Sequence, residues 1–431
     1  MQNIARNNIS SMRRAAHDVL GATYIKIIMC LLAGVVLPSI IFFHGNISAQ
    51  LNNPMALNSS LAASLAIISG TLVIRRLDEF PGTITARYIV PSFVATFSIA
   101  IAVILLARVP YSGQFISIAF AGSIVAHFFV NAIERRRDRI RYFLVPGGKI
   151  GHILDDLGND AEMLDKPMLP EQPEAIMIAD LHHDHSSEWE RAFALAALTG
   201  IGVYHYKQVW EARTGMVRIE HLSENSLGSL IPNNSWADVK RVVDITITLI
   251  ILPLVFLPLL ITAIVIKCDS PGPIFFRQAR VGYRGRQFDV LKFRTMRVAK
   301  PATDLVDEAI TKDDDDRITR VGRFLRQTRI DELPQIYNIL RGEMSWIGPR
   351  PEAMPLSEWY EREIPFYIYR HIVRPGITGW AQVNQGHVAG ISEVHDKLRY
   401  DFYYIKNFSL WIDILISFKT VLVVIRGIGA K

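Results

Sequence analysis

The sequence predicts a mainly helical membrane protein that also carries a small α/β module. Three observations lead to this fold class: 50% of the 431 residues are hydrophobic, only 20% are charged, and the mean hydropathy is +0.21. This composition excludes a disordered chain, and the length suggests about two or three domains. The formal charge of +6 indicates anionic partners, among which nucleic acid, phospholipid headgroups and phosphorylated substrates stay open at this point.

Four apolar segments in the first third have roughly the length that a membrane-spanning helix needs. Arginines cluster before the first segment, between the second and third, and after the fourth, and such clusters favour the cytosol. We therefore predict a cytosolic tail at 1–20 and a four-helix transmembrane bundle within 21–134, with both ends in the cytosol. The segments are Tyr24 to His44, Met55 to Ile74, Tyr88 to Val109 and Phe115 to Ile133.

A soluble α/β composition follows, and we predict a cytosolic domain at 141–234. Short apolar runs indicate strands, and one helical pattern connects the last two of them. The alternation predicts a degenerate, Rossmann-like layout with a packing or regulatory role. The strand candidates are Tyr142 to Pro146, Ala175 to Ala179 and Gly200 to His205, and the helix candidate is Glu188 to Leu198.

Two patterns in this module could bind a ligand. The turn Pro146 to Gly151 follows a strand, but it lacks the full glycine spacing of a dinucleotide site, so we interpret it as structural. The run His182 to His185 could ligate a metal. Because Asp184, Ser186 or Ser187 can also cap the helix that follows, a capping loop is the favoured interpretation.

A fifth apolar run, Val242 to Ile266, is long enough to span a membrane. Lys240 and Arg241 precede it and a basic stretch follows it, so both flanks favour the cytosolic side. Pro253 and Pro258 can bend a helix. We predict a re-entrant membrane helix that returns to the face it entered, and a kinked spanning helix is the alternative.

Two adjacent carboxylates, Asp331 and Glu332 (the acidic pair), carry the densest chemical information. Pro334 is tolerated only in the first turn of a helix, so the pair should lie at a helix start, where the amino terminus favours anions. Neighbouring residues of a helix do not face each other, so one carboxylate could attack while the other holds a cation. Arginines that could bind phosphate surround the pair, although a capped helix with surface arginines fits the spacing equally well. They are Arg323, Arg326, Arg329, Arg341 and Arg350.

From about Val239 to Lys431 the chain resembles the bacterial sugar transferases, which are monotopic polyprenol-phosphate phosphoglycosyl transferases. Five sequence blocks carry the resemblance, and they occur in the order typical of that family. The amino-terminal helices and the α/β module resemble the larger members by layout only. The blocks are KRVVD at 240–244, SPGPIFFRQARVG at 270–282, KFRTM at 292–296, RIDELPQIYNILRGEMSWIGPRP at 329–351 and RPGITGWAQVNQ at 374–385.

The resemblance implies a mainly helical, monotopic catalytic domain at 236–431 that includes the re-entrant helix. It implies transfer of a sugar 1-phosphate from a UDP-sugar to undecaprenyl phosphate, with release of UMP and a covalent aspartyl phosphosugar intermediate. Asp331 matches the nucleophile, and Glu332 matches the ligand of a Mg²⁺ cofactor. Blocks that line the site supply the implied substrate-binding residues Lys292, Arg294, Arg326, Arg350, Pro351, Arg374, Gln382 and Asp401.

The same resemblance implies a location in the bacterial inner membrane, with the active site on the cytosolic face. The expected partners are the UDP-sugar, undecaprenyl phosphate and the lipid bilayer, with no nucleic acid and with a homodimer left open. The sugar is expected to be glucose or galactose, with an acetamido sugar as the main rival. A catalytically inactive scaffold and a lipid-linked sugar flippase are the alternative functions, but neither needs an intact acidic pair.

Overall fold

The computed structural model describes residues 23–43, 46, 50–78, 80, 85–137, 141–158, 161–170, 175–217, 234–297, 317–385 and 391–426. The predicted cytosolic tail at 1–20 therefore lies outside the described residues. Contacts between Cα atoms divide the chain into two compact units, Met1–Gly215 and Met216–Lys431.

Four apolar helices form the first part of the amino-terminal unit, and their positions confirm the four apolar segments predicted from the sequence. All four are long and apolar enough to cross a membrane. They share one apolar core, to which Cys30, Ile67, Phe93 and Ala119 each contribute from a different helix. The helices are α1 (Thr23–Phe43), α2 (Pro54–Asp78), α3 (Thr85–Ala107) and α4 (Gly113–Arg137).

Large apolar side chains on the outer faces of these helices are exposed, for example Leu65, Leu106 and Val125. A helix that is apolar on all sides is suited to hydrocarbon rather than to water. The outward faces therefore fit a membrane protein.

A parallel four-stranded sheet in the order β2-β1-β3-β4 follows the helices. Three of its strands and one of its helices confirm the elements predicted from the sequence, whereas β2 was not predicted because three residues carry too little pattern. The strands are β1 (Arg141–Leu144), β2 (Ala161–Met163), β3 (Ala175–Ala179) and β4 (Gly202–His205). The helices are α5 (Gly151–Leu157), α6 (Ser187–Thr199) and α7 (Tyr206–Thr214).

The carboxy-terminal unit begins with the 36-residue helix α8 (Asn234–Asp269), which contains Pro253 and Pro258. It is the fifth described helix that is long and apolar enough to cross a membrane. Its middle exposes large apolar side chains, of which Leu254 is 74% exposed.

Both ends of α8 pack on the rest of the carboxy-terminal unit. Near the start, Lys240 forms a 2.8 Å ion pair with Asp413. Near the end, Ile266 is buried in one apolar cluster with Phe293 and Leu325. The exposed apolar middle therefore lies between two anchored ends.

Small helices and two-stranded sheets build the rest of this unit. The strands are β5 (Phe275–Val281), antiparallel to β6 (Gln287–Phe293), and β7 (Ser345–Ile347), parallel to β8 (Gly376–Thr378). The helices are α9 (Arg320–Thr328), α10 (Ile336–Arg341), α11 (Met354–Glu363), α12 (Trp380–Asn384), α13 (Ile391–Lys406) and α14 (Leu410–Arg426).

The side chain of Asn338 joins α10 to β6. Its amide nitrogen donates to the carbonyl oxygen of Asp289 at 2.7 Å, and its amide oxygen accepts from the backbone N–H of Leu291 at 3.1 Å. This pairing fixes the segment that precedes α10 beside the end of β6, and both segments contribute to the site.

Candidate active site

The acidic pair lies in a short 3₁₀ turn, Ile330–Gln335, which leads directly into α10. The prediction of a helix start, made from Pro334, is therefore confirmed. Arg329 precedes the turn in a left-handed conformation, with φ at 60°. Asp331 and Glu332 are both buried, at 8% and 6% exposure.

Three cations approach one oxygen of Glu332. From Oε1, the distance is 3.0 Å to Nζ of Lys292 and 2.7 Å to a terminal nitrogen of Arg350, while Arg329 lies at 3.8 Å. Burial alone would raise the pKa of Glu332, but the charges of Arg350 and Lys292 hold it well below its ordinary value. Glu332 is therefore ionised at neutral pH.

Asp331 has a different environment, since its buried Oδ1 has no hydrogen-bond partner among the described residues. Burial and the charge of Glu332 raise the pKa of Asp331, although Lys292, Arg350 and Arg326 oppose the rise. This direction is opposite to the one expected from a helix amino terminus alone, because burial and Glu332 outweigh the dipole. A carboxylate oxygen that accepts no hydrogen bond is more basic and better suited to nucleophilic attack.

Two further predicted residues lie beside the pair. Lys292 is on β6, and burial, reinforced by Arg350, lowers its pKa to about 8 despite the attraction of Glu332. Arg326 is on α9 and donates from Nε to the hydroxyl of Thr295 at 3.0 Å. The structure thus brings together the acidic pair, one lysine and three arginines, a group that can bind a diphosphate.

A buried ionic network supports the loop that carries Arg350. One terminal nitrogen of Arg370 donates to the carbonyl oxygen of Arg350 at 2.8 Å and to Asp401 at 2.9 Å. The other lies 3.7 Å from Glu352, which also pairs with Lys397. Asp401, at 1% exposure, therefore contacts the network and not the acidic pair. The role of Asp401 in substrate binding stays a prediction, and the structure shows its ion pair with Arg370.

Pro351 and Arg280 form a second contact that holds the loop of Arg350 in place. The carbonyl oxygen of Pro351 accepts from Arg280 on β5, and Arg280 also donates to Gln278. The hairpin of β5 and β6 consequently holds both Lys292 and the loop of Arg350.

Three predicted substrate-binding residues lie elsewhere. Arg294 donates to the carbonyl oxygen of Ser270 at 2.7 Å and closes the turn after α8. Arg374 donates to the carbonyl oxygen of Gly342 at 3.2 Å, and Gln382 donates within its own segment to Ile377. Among the described residues, these three side chains make no hydrogen bond or ion pair with the acidic pair.

The backbone of the block around Arg374 lies against the backbone at the start of the loop that carries Arg350. A Cβ atom added to Gly376 would lie 2.1 Å from the backbone nitrogen of Gly348, and one added to Gly348 would lie 2.3 Å from the carbonyl oxygen of Arg374. A side chain does not fit at either position, because the atoms that it would meet belong to the backbone and cannot move aside. Only glycine fits at these two positions, and the loop of Arg350 starts there.

No sequence pattern distinguished four of these residues as part of the site, namely Arg280, Glu352, Arg370 and Lys397. Glu352 directly follows the block that ends at Pro351, and Arg280 lies inside the block at 270–282. Position inside a block, or directly beside one, was therefore an available signal for these two. Arg370 and Lys397 lie outside every block, and only the folded chain places them behind Arg350.

The sequence profile of a family described as bacterial sugar transferase matches residues 235–427. This range contains the acidic pair, the cations around it and the supporting network.

Known proteins similar to this chain carry related names. The UDP-N-acetylgalactosamine-undecaprenyl-phosphate N-acetylgalactosaminephosphotransferase of Aeromonas hydrophila is 42% identical over 376 residues, which cover 87% of this chain and 88% of that protein. UDP-glucose:undecaprenyl-phosphate glucose-1-phosphate transferases are 43% identical in Xanthomonas campestris pv. campestris and in Escherichia coli strain K12. These two matches cover 47% and 42% of this chain, and 42% and 39% of the respective relatives.

Proposed function

The chain belongs to the bacterial sugar transferase family, the polyprenol-phosphate phosphoglycosyl transferases, and on this premise we propose that it transfers a sugar 1-phosphate from a UDP-sugar to undecaprenyl phosphate. The observation that carries this proposal is the buried acidic pair. One carboxylate forms ion pairs with cations, and the other has an oxygen without a hydrogen-bond partner in the part of the chain that the structure describes. As a transferase of this kind, the protein would start the synthesis of a membrane polysaccharide.

The proposed reaction has two displacements at one phosphorus. A carboxylate oxygen of Asp331 attacks the phosphorus that bears the sugar, and the bond from that phosphorus to the bridging oxygen breaks. The electron pair leaves with UMP, and an aspartyl phosphosugar remains. An oxygen of undecaprenyl phosphate then attacks the same phosphorus, the aspartyl bond breaks, and Asp331 is regenerated as a carboxylate.

The cations around the acidic pair can bind the negatively charged diphosphate of the substrate. Lys292 and Arg350 form ion pairs with Glu332, and both can turn towards the diphosphate oxygens when the donor binds. Arg326 lies on the Asp331 side and can hold a phosphate oxygen there. The network behind Arg350 fixes its backbone, so this arginine is positioned before the substrate arrives.

The acidic pair also fits the Mg²⁺ that the family implies. Mg²⁺ is bound through one or two carboxylates together with substrate phosphates. Glu332 supplies one carboxylate, and the buried Oδ1 of Asp331 has no partner among the described residues. When bound, the ion would neutralise charge on the diphosphate.

We propose UDP-N-acetylgalactosamine as the first donor to test, because the relative that aligns along most of this chain is named for that sugar. The family resemblance alone implies glucose or galactose, with an acetamido sugar as the main rival. Four labelled UDP-sugars should be supplied one at a time, together with undecaprenyl phosphate, to membranes that contain the protein. The membranes should convert one of the four into a lipid-linked product and UMP. No turnover with any nucleotide sugar would favour the inactive scaffold.

We also propose that α8 is re-entrant and that the active site lies on the cytosolic face of the inner membrane. The contacts of Lys240 with Asp413 and of Ile266 with Phe293 support this, since both ends of the apolar helix pack on one unit. A spanning helix would carry its basic flanks to opposite sides of the membrane.

Cysteine labelling tests this topology. Cys268 is exposed and Cys30 is buried, so both should first be replaced by serine. A cysteine at Gly285 should then react only with a reagent that has reached the cytosol, whereas one at Tyr111, between α3 and α4, should react from the periplasm. Labelling at Gly285 from the periplasm would contradict the re-entrant arrangement.

Lys292 should give the reaction an alkaline limit. Its pKa is lowered to about 8, so the lysine loses its charge as the pH rises through this value. We expect kcat/KM for the UDP-sugar, which reports groups of the free enzyme, to fall about fivefold between pH 8 and pH 9. Lys292→Arg should be slower but flat over this range, because arginine stays charged. An unchanged alkaline limb in that variant would assign the limit to another group.

A further inference from the structure

Three side chains converge at the carboxyl edge of the parallel sheet in the amino-terminal unit. Asp180 directly follows β3, His205 ends β4, and His182 lies in the loop after Asp180. In a parallel α/β sheet, ligands bind at the carboxyl ends of the strands. The proposed transfer reaction uses none of these residues.

The three ligand atoms have the spacing of a metal site. Nε2 of His205 lies 2.9 Å from Nδ1 of His182 and 3.3 Å from Oδ1 of Asp180, and all three atoms lie within 4.8 Å of one another. A tetrahedral Zn²⁺ with bonds of about 2.1 Å separates its ligand atoms by about 3.4 Å. Asp180 and His205 are buried while His182 is exposed, so an ion could enter from the solvent side.

The surrounding structure holds the carboxylate and one ring in place. Oδ2 of Asp180 accepts from the backbone N–H of Lys149, and a Cβ atom on Gly148 would lie 2.3 Å from this oxygen. The ring of His205 stacks on Tyr206. Among the described residues, Oδ1 of Asp180, which lies beside His205, accepts a 3.2 Å bond from the backbone N–H of His182 besides its contact with the ring. Ligands that are oriented by neighbouring contacts are typical of metal sites.

We propose that Asp180, His182 and His205 bind one divalent transition-metal ion of the Zn²⁺ class. Two imidazoles and one carboxylate form a donor set that suits Zn²⁺, and a water molecule would fill the fourth position. The ion would join the end of β3 to the start of α7 and stabilise the α/β module.

The protonation of His205 is compatible with this assignment. Nδ1 of His205 accepts from the backbone N–H of Lys207 and caps α7, which places the proton of the neutral ring on Nε2. Metal binding moves this proton to Nδ1 and removes one helix cap, a small loss compared with the gain from three ligands.

The test uses the full chain, purified without a histidine tag and stripped with a chelator. It carries Asp331→Asn and Glu332→Gln so that the acidic pair cannot hold the ion. After incubation with Zn²⁺ and gel filtration, elemental analysis should find about one equivalent per chain. Co²⁺ in place of Zn²⁺ should give the visible absorption of a four-coordinate site.

His182→Ala and His205→Ala should each lose this equivalent, with affinity at least about a hundredfold weaker. His182 caps no helix, so its variant separates metal loss from damage to α7. His395→Ala, which removes a histidine from the other unit, should retain the ion. Absence of a bound equivalent in the parent, or a metal content in both ligand variants equal to that of the parent, would overturn the proposal.

Discussion

Asp331→Asn is expected to abolish transfer, with a loss of at least about a thousandfold, because an amide keeps the shape of the carboxylate but cannot form the aspartyl phosphosugar. The protein should remain folded. Burial and Glu332 raise the pKa of Asp331, which means that the ionised carboxylate lowers the stability of the folded chain at neutral pH. Removing this charge should therefore leave the melting temperature unchanged or slightly higher.

A single-turnover experiment reads out the same variant without the lipid. With a labelled UDP-sugar and no undecaprenyl phosphate, the parent protein should retain label covalently and release UMP, and Asp331→Asn should do neither. Asp289→Asn is a matched control, because Asp289 is an exposed carboxylate on the neighbouring strand β6. Normal labelling of the Asp331 variant would refute the assignment of the nucleophile.

Glu332→Gln is expected to lower kcat by about a hundredfold and also to destabilise the protein. The carboxylate neutralises Lys292 and Arg350, and both of these side chains are largely buried. Removing one member of a buried ion pair costs about 3 kcal/mol, since the partner charge is left without compensation. A lower unfolding midpoint in denaturant should accompany the loss of activity.

The double variant Glu332→Gln with Lys292→Met separates the two effects. Methionine removes the uncompensated charge, so part of the lost stability should return. Turnover and the dependence of turnover on Mg²⁺ should not return. If the added Lys292→Met restored turnover, Glu332 would act only as a counter-ion, and its proposed place beside the metal ion would be wrong.

The sequence predicted the centre of the site better than its periphery. Pro334 predicted that Asp331 and Glu332 lie at a helix start, and the structure confirms this position, but the residues alone fitted a capped helix with surface arginines equally well. The family blocks favoured an active site, and the structure brings Lys292 and Arg350, which belong to two of these blocks, into contact with Glu332. Block membership alone could not distinguish a side chain that faces the pair from one that closes a turn. Arg294, for example, lies two residues from Lys292 and closes the turn after α8.

Contacts between distant segments explain most of what the sequence did not reveal. The His182 to His185 run was interpreted as a capping loop, and Ser186 does occupy the N-cap position of α6, although its side chain makes no capping bond. The partners that make His182 notable are Asp180 and His205, and His205 lies 23 residues further along the chain. Only the pairing of β3 with β4 places them together.

The backbone contact between Gly348 and Gly376 changes how a deep mutational scan of this protein should be interpreted. Every substitution at either glycine places a side chain against backbone atoms, so both positions should be as intolerant as Asp331 in a growth selection. The cause of failure would differ. Variants at the glycines should reduce the amount of assembled protein in the membrane, whereas variants at Asp331 should leave normal amounts of an inert one. Abundance measured beside fitness would therefore separate the architectural positions of this fold from its reactive ones.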